Sequence, residues 1–455
     1  MGYEKMISIV LCTYNRAHTL KETINSILMQ TYQDFELIIV DDGSTDNTLE
    51  LLEEYEDQRI RIFPRKENQY YCIAANYGIR QMRGEYLAFA TSDDTWEPQK
   101  LEQQVALLTS TSNYAACFTF SDIIDENSHP ADNEFEMLSG LLMKNYTEQK
   151  DWIQHFIFEG NCLCHPSAVI RREVIEEVGG FNLIYCQAGD MELWLRIIRK
   201  YPIYVIEKPL VHYRCYKNPM EQVSGADEMK SARFFNEHML IRRNFIEDLS
   251  DDEMLRFFQD CFWKKDAQSH MELEIEKALL LMNCTHHLPD LRILGIEKFE
   301  RLLRDPEVLE VLNESYHITI HDIYEWNRGH FYVDFGIHVR LAEQDRTCEK
   351  LRAAVEMQQG ALEETKAVVE AQKRTIGQQE QENVSKRKRI QDLEELEQRL
   401  EETIKEQTYT LTVAKKDREK SAQELEELEK LLEEAVLDNL RIKEEASGKR
   451  MRKRR

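Results

Sequence analysis

The 455-residue chain has no run of the ~18 to 20 uncharged apolar residues that a membrane-spanning helix needs. Its N-terminus, MGYEKMISIV, shows no basic stretch, apolar run and small-residue cleavage site in succession, so no secretory leader is expected. Gly2 is not followed by the Ser or Thr of an acylation signal. Ten cysteines are scattered, and the nearest pair, Cys162 and Cys164, has the wrong spacing for a redox or zinc motif. Reduced thiols in a cytoplasmic protein are the expectation. A basic excess is missing too: 84 acidic against 59 basic residues leave a net charge of −25. That excludes a general nucleic-acid binder but not a phosphorylated ligand, which a few local donors can hold. One local reversal stands at the end, Lys449-Arg450-Met451-Arg452-Lys453-Arg454-Arg455. This basic tail either keeps a helix end solvated or touches anionic lipid at the inner membrane face, at about 1 kcal/mol per basic residue.

What is present divides into three regions. Residues 1–215 alternate strand and helix signals. Ile7 to Leu11 reads as a buried strand, and Thr19 with Glu22 has capping-box spacing before a helix carrying Leu20, Ile24, Ile27 and Leu28 on one face. Phe35 to Val40 reads as a second buried strand, Thr48 to Tyr55 as a helix, Arg59 to Phe63 as a strand, Tyr71 to Met82 as a helix and Tyr86 to Ala90 as a strand. Such alternation predicts an α/β fold, a mostly parallel sheet with helices on both faces. Polar residues gather just after the strand C-termini, where open α/β sheets bind ligands.

Residues 216–340 lose the alternation and predict a mainly helical accessory domain, with helices such as Glu237 to Leu249 and Ile296 to Leu303. No chemical motif is found there; His286 and His287 are adjacent, point to different faces and make poor joint metal ligands. From Leu341 the chain has no proline and dense Glu, Lys, Arg and Gln. Every seventh residue gives Leu341, Cys348, Val355, Leu362, Val369, Ile376, Asn383, Ile390, Glu397, Ile404, Leu411, Arg418, Leu425, Leu432 and Asn439. The companion positions are Gln344, Gln358, Gln372 and Gln379 early, then Leu393, Leu400, Leu428 and Ile442. This heptad seam predicts a coiled coil over residues 341–448, on the order of 150 Å long if fully helical, followed by the basic tail 449–455. A lone helix cannot bury such a stripe, so self-association into a homo-oligomer is expected.

Sugar transfer from a nucleotide diphosphate needs a grip on the nucleoside, neutralisation of the departing diphosphate and a base for the acceptor's proton. Cys12-Thr13-Tyr14-Asn15-Arg16 closes the first strand and Asp42 the second, and in a parallel sheet these ends lie side by side. Asp42 can accept from a pyrimidine N–H or a ribose hydroxyl, Tyr14 can stack on a base and Thr13 can bond to it. The same residues also suit plain strand-end turns. Asp93 and Asp94 end another strand; paired carboxylates there suit Mg²⁺ or Mn²⁺ with substrate phosphate oxygens as further ligands, and equally suit a turn. Asp190, in Gly189-Asp190-Met191-Glu192-Leu193-Trp194, opens an amphipathic helix, where it serves as a cap, a base or both.

Thr13-Tyr14-Asn15-Arg16, Val40-Asp41-Asp42-Gly43-Ser44-Thr45-Asp46, Gly84-Glu85-Tyr86, Asp93-Asp94 and Gly189 to Trp194, in this order, closely resemble family 2 glycosyltransferases of the GT-A fold. So do His165-Pro166-Ser167, Arg171-Arg172-Glu173 and Val178-Gly179-Gly180-Phe181. The resemblance covers roughly residues 5–215. It implies an inverting, single-displacement transfer from a UDP- or dTDP-sugar to a surface polysaccharide, lipid-linked or protein acceptor. It further implies that Thr13, Tyr14, Asn15, Arg16 and Asp42 hold the nucleotide, with Asp93 near ribose and diphosphate. Asp94, with Asp93, is then the metal site, Asp190 the general base, and His165 a candidate substrate contact.

Three features depart from the family pattern. Thr91 stands where many members have an acid, and Ala74-Ala75-Asn76 where Ala-Arg-Asn is common, which removes a cation for which Arg65, Lys66 or Arg80 are the candidate substitutes. The chain also lacks Gln-x-x-Arg-Trp and membrane spans, which excludes a processive synthase. The first two departures motivate an alternative: a coiled-coil scaffold whose donor-binding domain no longer catalyses. A nucleotidyltransferase is disfavoured, since no Gly-rich basic triphosphate loop follows the first strand.

Overall fold

The computed structural model describes residues 6–217, 228–283, 292–327, 335–378 and 384–452. His286, His287, Asn383 and the last three residues of the basic tail lie outside the described residues. The chain divides into two compact units, residues 1–331 and 332–455.

The first unit opens with β1 (Ile7–Thr13), α1 (Ala17–Leu28), β2 (Phe35–Asp41), α2 (Thr48–Glu53), β3 (Ile60–Pro64), α3 (Tyr71–Gln81) and β4 (Tyr86–Ala90). It continues with β5 (Thr95–Trp96), α4 (Lys100–Ser110), β6 (Ala116–Ile124), α5 (Glu136–Leu142) and α6 (Gln149–Phe158). Then follow β7 (Val169–Arg171), α7 (Arg172–Val178), α8 (Gly189–Lys200) and β8 (Ile203–Arg214). The eight strands form one sheet in the order β3-β2-β1-β4-β7-β6-β8-β5. β1 to β4 run parallel, while β7 is antiparallel to β4 and β6, and β5 is antiparallel to β8.

β1, β2 and β4 are buried in every residue, which is why they read as mainly apolar runs, with Ser8 and Glu36 the interior polar residues. Strand alternation sends their side chains to two layers. Val10, Ile38, Val40, Leu87 and Phe89 face one core with α8, whereas Ile9, Leu11, Leu37, Ile39 and Ala88 face the other with α1 and α4.

The expected capping box at Thr19 does not form. α1 begins at Ala17, two residues earlier, and the Thr19 hydroxyl donates to the Ser92 carbonyl at 3.0 Å. Glu22 accepts from Arg214 Nη2 at 2.7 Å. The first turn is capped from another loop: Thr48 Oγ1 accepts from Arg16 N, and Asp46 Oδ2 from Ala17 N, both at 3.3 Å.

Six helices complete the unit: α9 (Glu228–Glu247), α10 (Asp251–Phe258), α11 (His270–Asn283), α12 (Arg292–Leu302), α13 (Pro306–Val311) and α14 (Ile320–Trp326). Ile241, Phe245 and Ile246 of α9 and Phe257 and Phe258 of α10 enter the core that holds Val10 and Trp194. The later helices also build a cluster of their own around Leu279, Phe299, Leu312 and Tyr316.

The second unit is α15 (Phe335–Gln378) and α16 (Val384–Arg452). Lys366 pairs with Glu401 at 3.7 Å and Lys373 with Glu394 at 3.4 Å, so the two helices run antiparallel. This corrects the expectation of one rod: α15 and α16 are two antiparallel arms on the order of 65 and 100 Å. The stripe itself is where the heptads put it, with Cys348, Val355, Leu362 and Val369 all buried. Leu393, Leu400, Ile404 and Leu411 of α16 are half-buried at the matching spacing. The chain thus covers the α15 part of the stripe itself, from Cys348 to Val369. Among the described residues, no helix is long and apolar enough to cross a membrane.

Candidate active site

The C-terminal ends of β1 and β2 lie side by side, with Thr13 opposite Asp41 and Asp42 N donating to Thr13 O at 2.9 Å. Asp42 Oδ2 accepts from Gln69 N at 2.9 Å, and Arg65 Nε stands 3.5 Å from Asp42 Oδ1. Burial raises the Asp42 carboxyl above its ordinary value against the Gln69 N–H and the Arg65 charge. Thr13 Oγ1 and Asp42 Oδ1 are buried with no hydrogen-bond partner, a state that native interiors rarely tolerate without a ligand or water. Arg65 and Gln69 also line a cavity of about 470 Å³. Tyr14 is 41 % exposed, free to meet a base.

Asn15 lies in the turn that follows β1. It adopts a left-handed backbone (φ 52°), which Asn tolerates better than most residues. Its Oδ1 accepts from Thr45 N at 2.8 Å and Asp46 N at 3.3 Å, and its N–H donates to Ser44 Oγ at 2.9 Å. It ties the β1 loop to the β2 loop.

A second cavity of about 210 Å³ opens between the ends of β1, β4 and α8. It brings together Arg16, Asp93, Asp94, His165 and Asp190, with Tyr71, Cys72 and Arg214 in its wall. Thr13, Tyr14, Asn15 and Asp42 are not in this wall. Asp94 is almost fully buried; Oδ1 accepts from Arg214 N at 2.7 Å and Oδ2 from the Thr91 hydroxyl. Burial first, and then the charge of Asp93, push Asp94 up to about 8. Asp93 is raised by burial against the pull of Arg16, 3.8 Å away, and Arg214. Thr91 thus supplies a donor that favours the ionised form of Asp94, where an acid would add a third negative charge.

Asp190 is the second residue of α8, an amphipathic helix that buries Met191, Leu193, Trp194, Leu195, Ile197 and Ile198. Its Oδ2 accepts from Asn161 Nδ2 at 2.9 Å and its Oδ1 from Met191 N at 2.7 Å. Partial burial pushes its carboxyl up to about 6. His165 sits in an aromatic nest, stacked on Phe89 at 4.7 Å, with Nε2 against the Tyr71 hydroxyl. Burial lowers it to about 3, so it is neutral. Its Nδ1 is buried without a partner.

The candidate substitute cations lie apart from the Asp190 cavity. Ala75 is packed in the core, Arg65 stays beside Asp42, and Arg80 lies over the Tyr77 ring at 5.8 Å; neither they nor Lys66 line the Asp190 cavity. Arg16 and Arg214 do. Arg214 and Asn161 were silent in the sequence, because their partners lie 29 to 192 residues away.

Among the described residues, no three His, Cys, Asp or Glu groups converge as a self-sufficient metal cage. Asp93 and Asp94 nevertheless fit the mode in which Mg²⁺ or Mn²⁺ takes one or two carboxylates and fills its shell with water and phosphate. Each oxygen of Asp94 has one protein donor, and a carboxylate offers roughly four acceptor sites, so capacity remains.

The model of the family described as "Glycosyl transferase family 2" matches residues 8–179. An uncharacterized glycosyltransferase of Nostoc sp. is 31% identical over 245 residues, covering 50% of this chain and 70% of that protein. Another, from Rickettsia conorii, is 32% identical over 257 residues, covering 56% of this chain but only 40% of that protein. The chain therefore spans well under half the length of this second relative. A putative teichuronic acid biosynthesis glycosyltransferase of Bacillus subtilis is 29% identical over 220 residues, covering 48% of this chain and 82% of that protein.

Proposed function

The chain belongs to glycosyl transferase family 2, and on that premise we propose that it transfers a sugar, with inversion, from a UDP- or dTDP-sugar to an acceptor hydroxyl. The observation that carries this reading is Asp190: a carboxylate raised to about 6, at the mouth of a helix, sharing one cavity with Asp93, Asp94 and Arg16. A base tuned near the working pH transfers protons most effectively.

Asp190 takes the acceptor's hydroxyl proton as that oxygen bonds to the anomeric carbon. The bond from that carbon to the diphosphate breaks, and its electron pair leaves on the diphosphate oxygen. Asn161 and the Met191 N–H hold the base in place. Arg16 supplies positive charge near the departing group. A divalent cation bound at Asp93 and Asp94 would offset the charge on the diphosphate. Thr13, Asp42 and Tyr14 grip the nucleoside, a role supported by the buried Thr13 Oγ1 and Asp42 Oδ1, neither of which has a hydrogen-bond partner. The Bacillus relative's name favours a surface polysaccharide as acceptor.

Calorimetric titration of UDP, with and without Mn²⁺, tests the donor site. Metal-dependent binding to the wild type that is lost in Asp94→Ala supports it. Absence of binding with UDP, dTDP and GDP alike would overturn it. Binding without turnover on any acceptor would instead favour a scaffold that holds donor and does not catalyse.

A further inference from the structure

The turn that delivers Asp190 is tied down by α9, outside the sheet. Cys186, Gln187 and Ala188 precede α8, and their three consecutive backbone N–H groups all donate to one side chain, Glu237 of α9. The distances are 2.7 Å from Cys186 N to Oε1, and 2.8 Å from both Gln187 N and Ala188 N to Oε2. Glu237 is buried, at 4 % exposure, and is not in the cavity wall, whereas Cys186, Gln187, Gly189 and Asp190 are. Bonds from N–H groups to a carboxylate are roughly twice as strong as neutral ones, and three on one group fix a turn in both position and tilt.

The anchor is itself fixed. One helical turn along α9, Arg242 is buried, with Nε donating to the Ile157 carbonyl of α6 at 2.6 Å and Nη1 2.7 Å from His238 Nδ1. The loop after α6 carries Asn161, which donates to Asp190. On the turn's other side there is no slack, because a Cβ on Gly189 would lie 2.8 Å from Cys72 Sγ. Asp190 is therefore clamped between α3 on one side and the α6–α9 layer on the other.

We propose that Glu237 is a positioning residue for the transfer reaction: it sets the 186–188 turn and, through it, the carboxylate of Asp190, which makes α9 a working part of the catalytic unit. The proposal rests on Asp190 being the base. Misplacing a catalytic group by about 1 Å costs on the order of 100-fold in rate, whereas donor affinity resides in other residues and is spared.

The test uses the full chain as wild type, Glu237→Gln, Glu237→Asp and Asp190→Asn. It measures UDP release from a panel of UDP-sugars with water as acceptor, and amide hydrogen exchange at residues 186–188. Glu237→Gln, which keeps one acceptor oxygen and loses the charge, is expected to lower kcat at least 10-fold with KM for the donor within about threefold. The three amides are expected to exchange at least 10-fold faster, with the β1 and β2 amides unchanged. Glu237→Asp, charged but one methylene shorter, is expected to recover part of the rate, and it decides the question should Glu237→Gln fail to fold. Wild-type kcat in Glu237→Gln while Asp190→Asn is inactive would overturn the positioning role and spare the base. Full activity in Asp190→Asn, or an inactive wild type, would overturn the functional reading and this proposal with it.

Discussion

Asp190 must be ionised to accept a proton, yet its surroundings favour the neutral form. Because it is raised from the ordinary 3.8 to about 6, wild-type kcat is expected to climb as pH rises through about 6. The same shift has a stability sign. A carboxyl raised in the fold binds its proton more tightly there than in the unfolded chain, so stability falls as pH rises from about 4 through 6. Asp190→Asn removes that penalty. At pH 8 it is expected to be as stable as wild type or more so, by up to about 3 kcal/mol, in urea unfolding. A clear loss of stability would mean that the carboxylate is structural. Thr91 gives the converse case. Its hydroxyl favours ionised Asp94, so Thr91→Val raises that carboxyl further and leaves less of it charged at pH 7. Metal-dependent UDP affinity is expected to weaken at least about 10-fold, the lower worth of one hydrogen bond to a charged group. Asp93, Asp94 and Asp190 stood out in the sequence because the first two follow a strand, β4, and the third opens a helix, α8, whose patterns are local. The ties of Asn15 to Thr45 and Asp46 could not be read, because those partners sit across a loop that one motif cannot reveal.

The elements that carry these residues differ in how plainly the chain announces them. β1, β2 and β4 could be read because they are buried on both faces, and Tyr86–Ala90 was bounded to the residue. β5 and β7, of two and three residues, are made only by pairing with β8, β4 and β6, and nothing in their own sequence demands a strand. The start of α1 was displaced for the same reason, since its cap comes from the loop before α2 and from Thr48 itself. Between α3 and α7–α8 the contact is closer still. Asn76 Nδ2 donates to Phe181 O and its Oδ1 accepts from Phe181 N, both at 2.7 Å, and a Cβ on Gly180 would fall 2.1 Å from Asn76 Oδ1. Gly180→Ala must break that clamp or push α3 aside. It is expected to cost about 2 kcal/mol or more, seen as a lower urea midpoint with an unchanged m-value. A midpoint equal to wild type would show the clamp to be slack.

At the scale of the whole molecule, the α15–α16 hairpin is a unit with its own buried stripe. Leu362→Asp puts a charge into that stripe and is expected to lower helicity by circular dichroism. Metal-dependent UDP affinity should stay within a factor of two, since every residue proposed to hold donor lies before residue 191. Light scattering on the chain with and without residues 341–455 checks the assembly: an intrachain hairpin leaves the oligomeric state unchanged, and a drop in order would restore the homo-oligomer first expected from the heptads. The central claim, that this family 2 chain transfers sugar with Asp190 as its base, has one direct test. UDP-sugar turnover is measured for the full-length wild type and Asp190→Asn, with UDP binding measured on both. The expected result is equal UDP affinity and a rate at least about 100-fold lower in the variant, the usual contribution of a positioned base. Turnover in Asp190→Asn at the wild-type rate would contradict it.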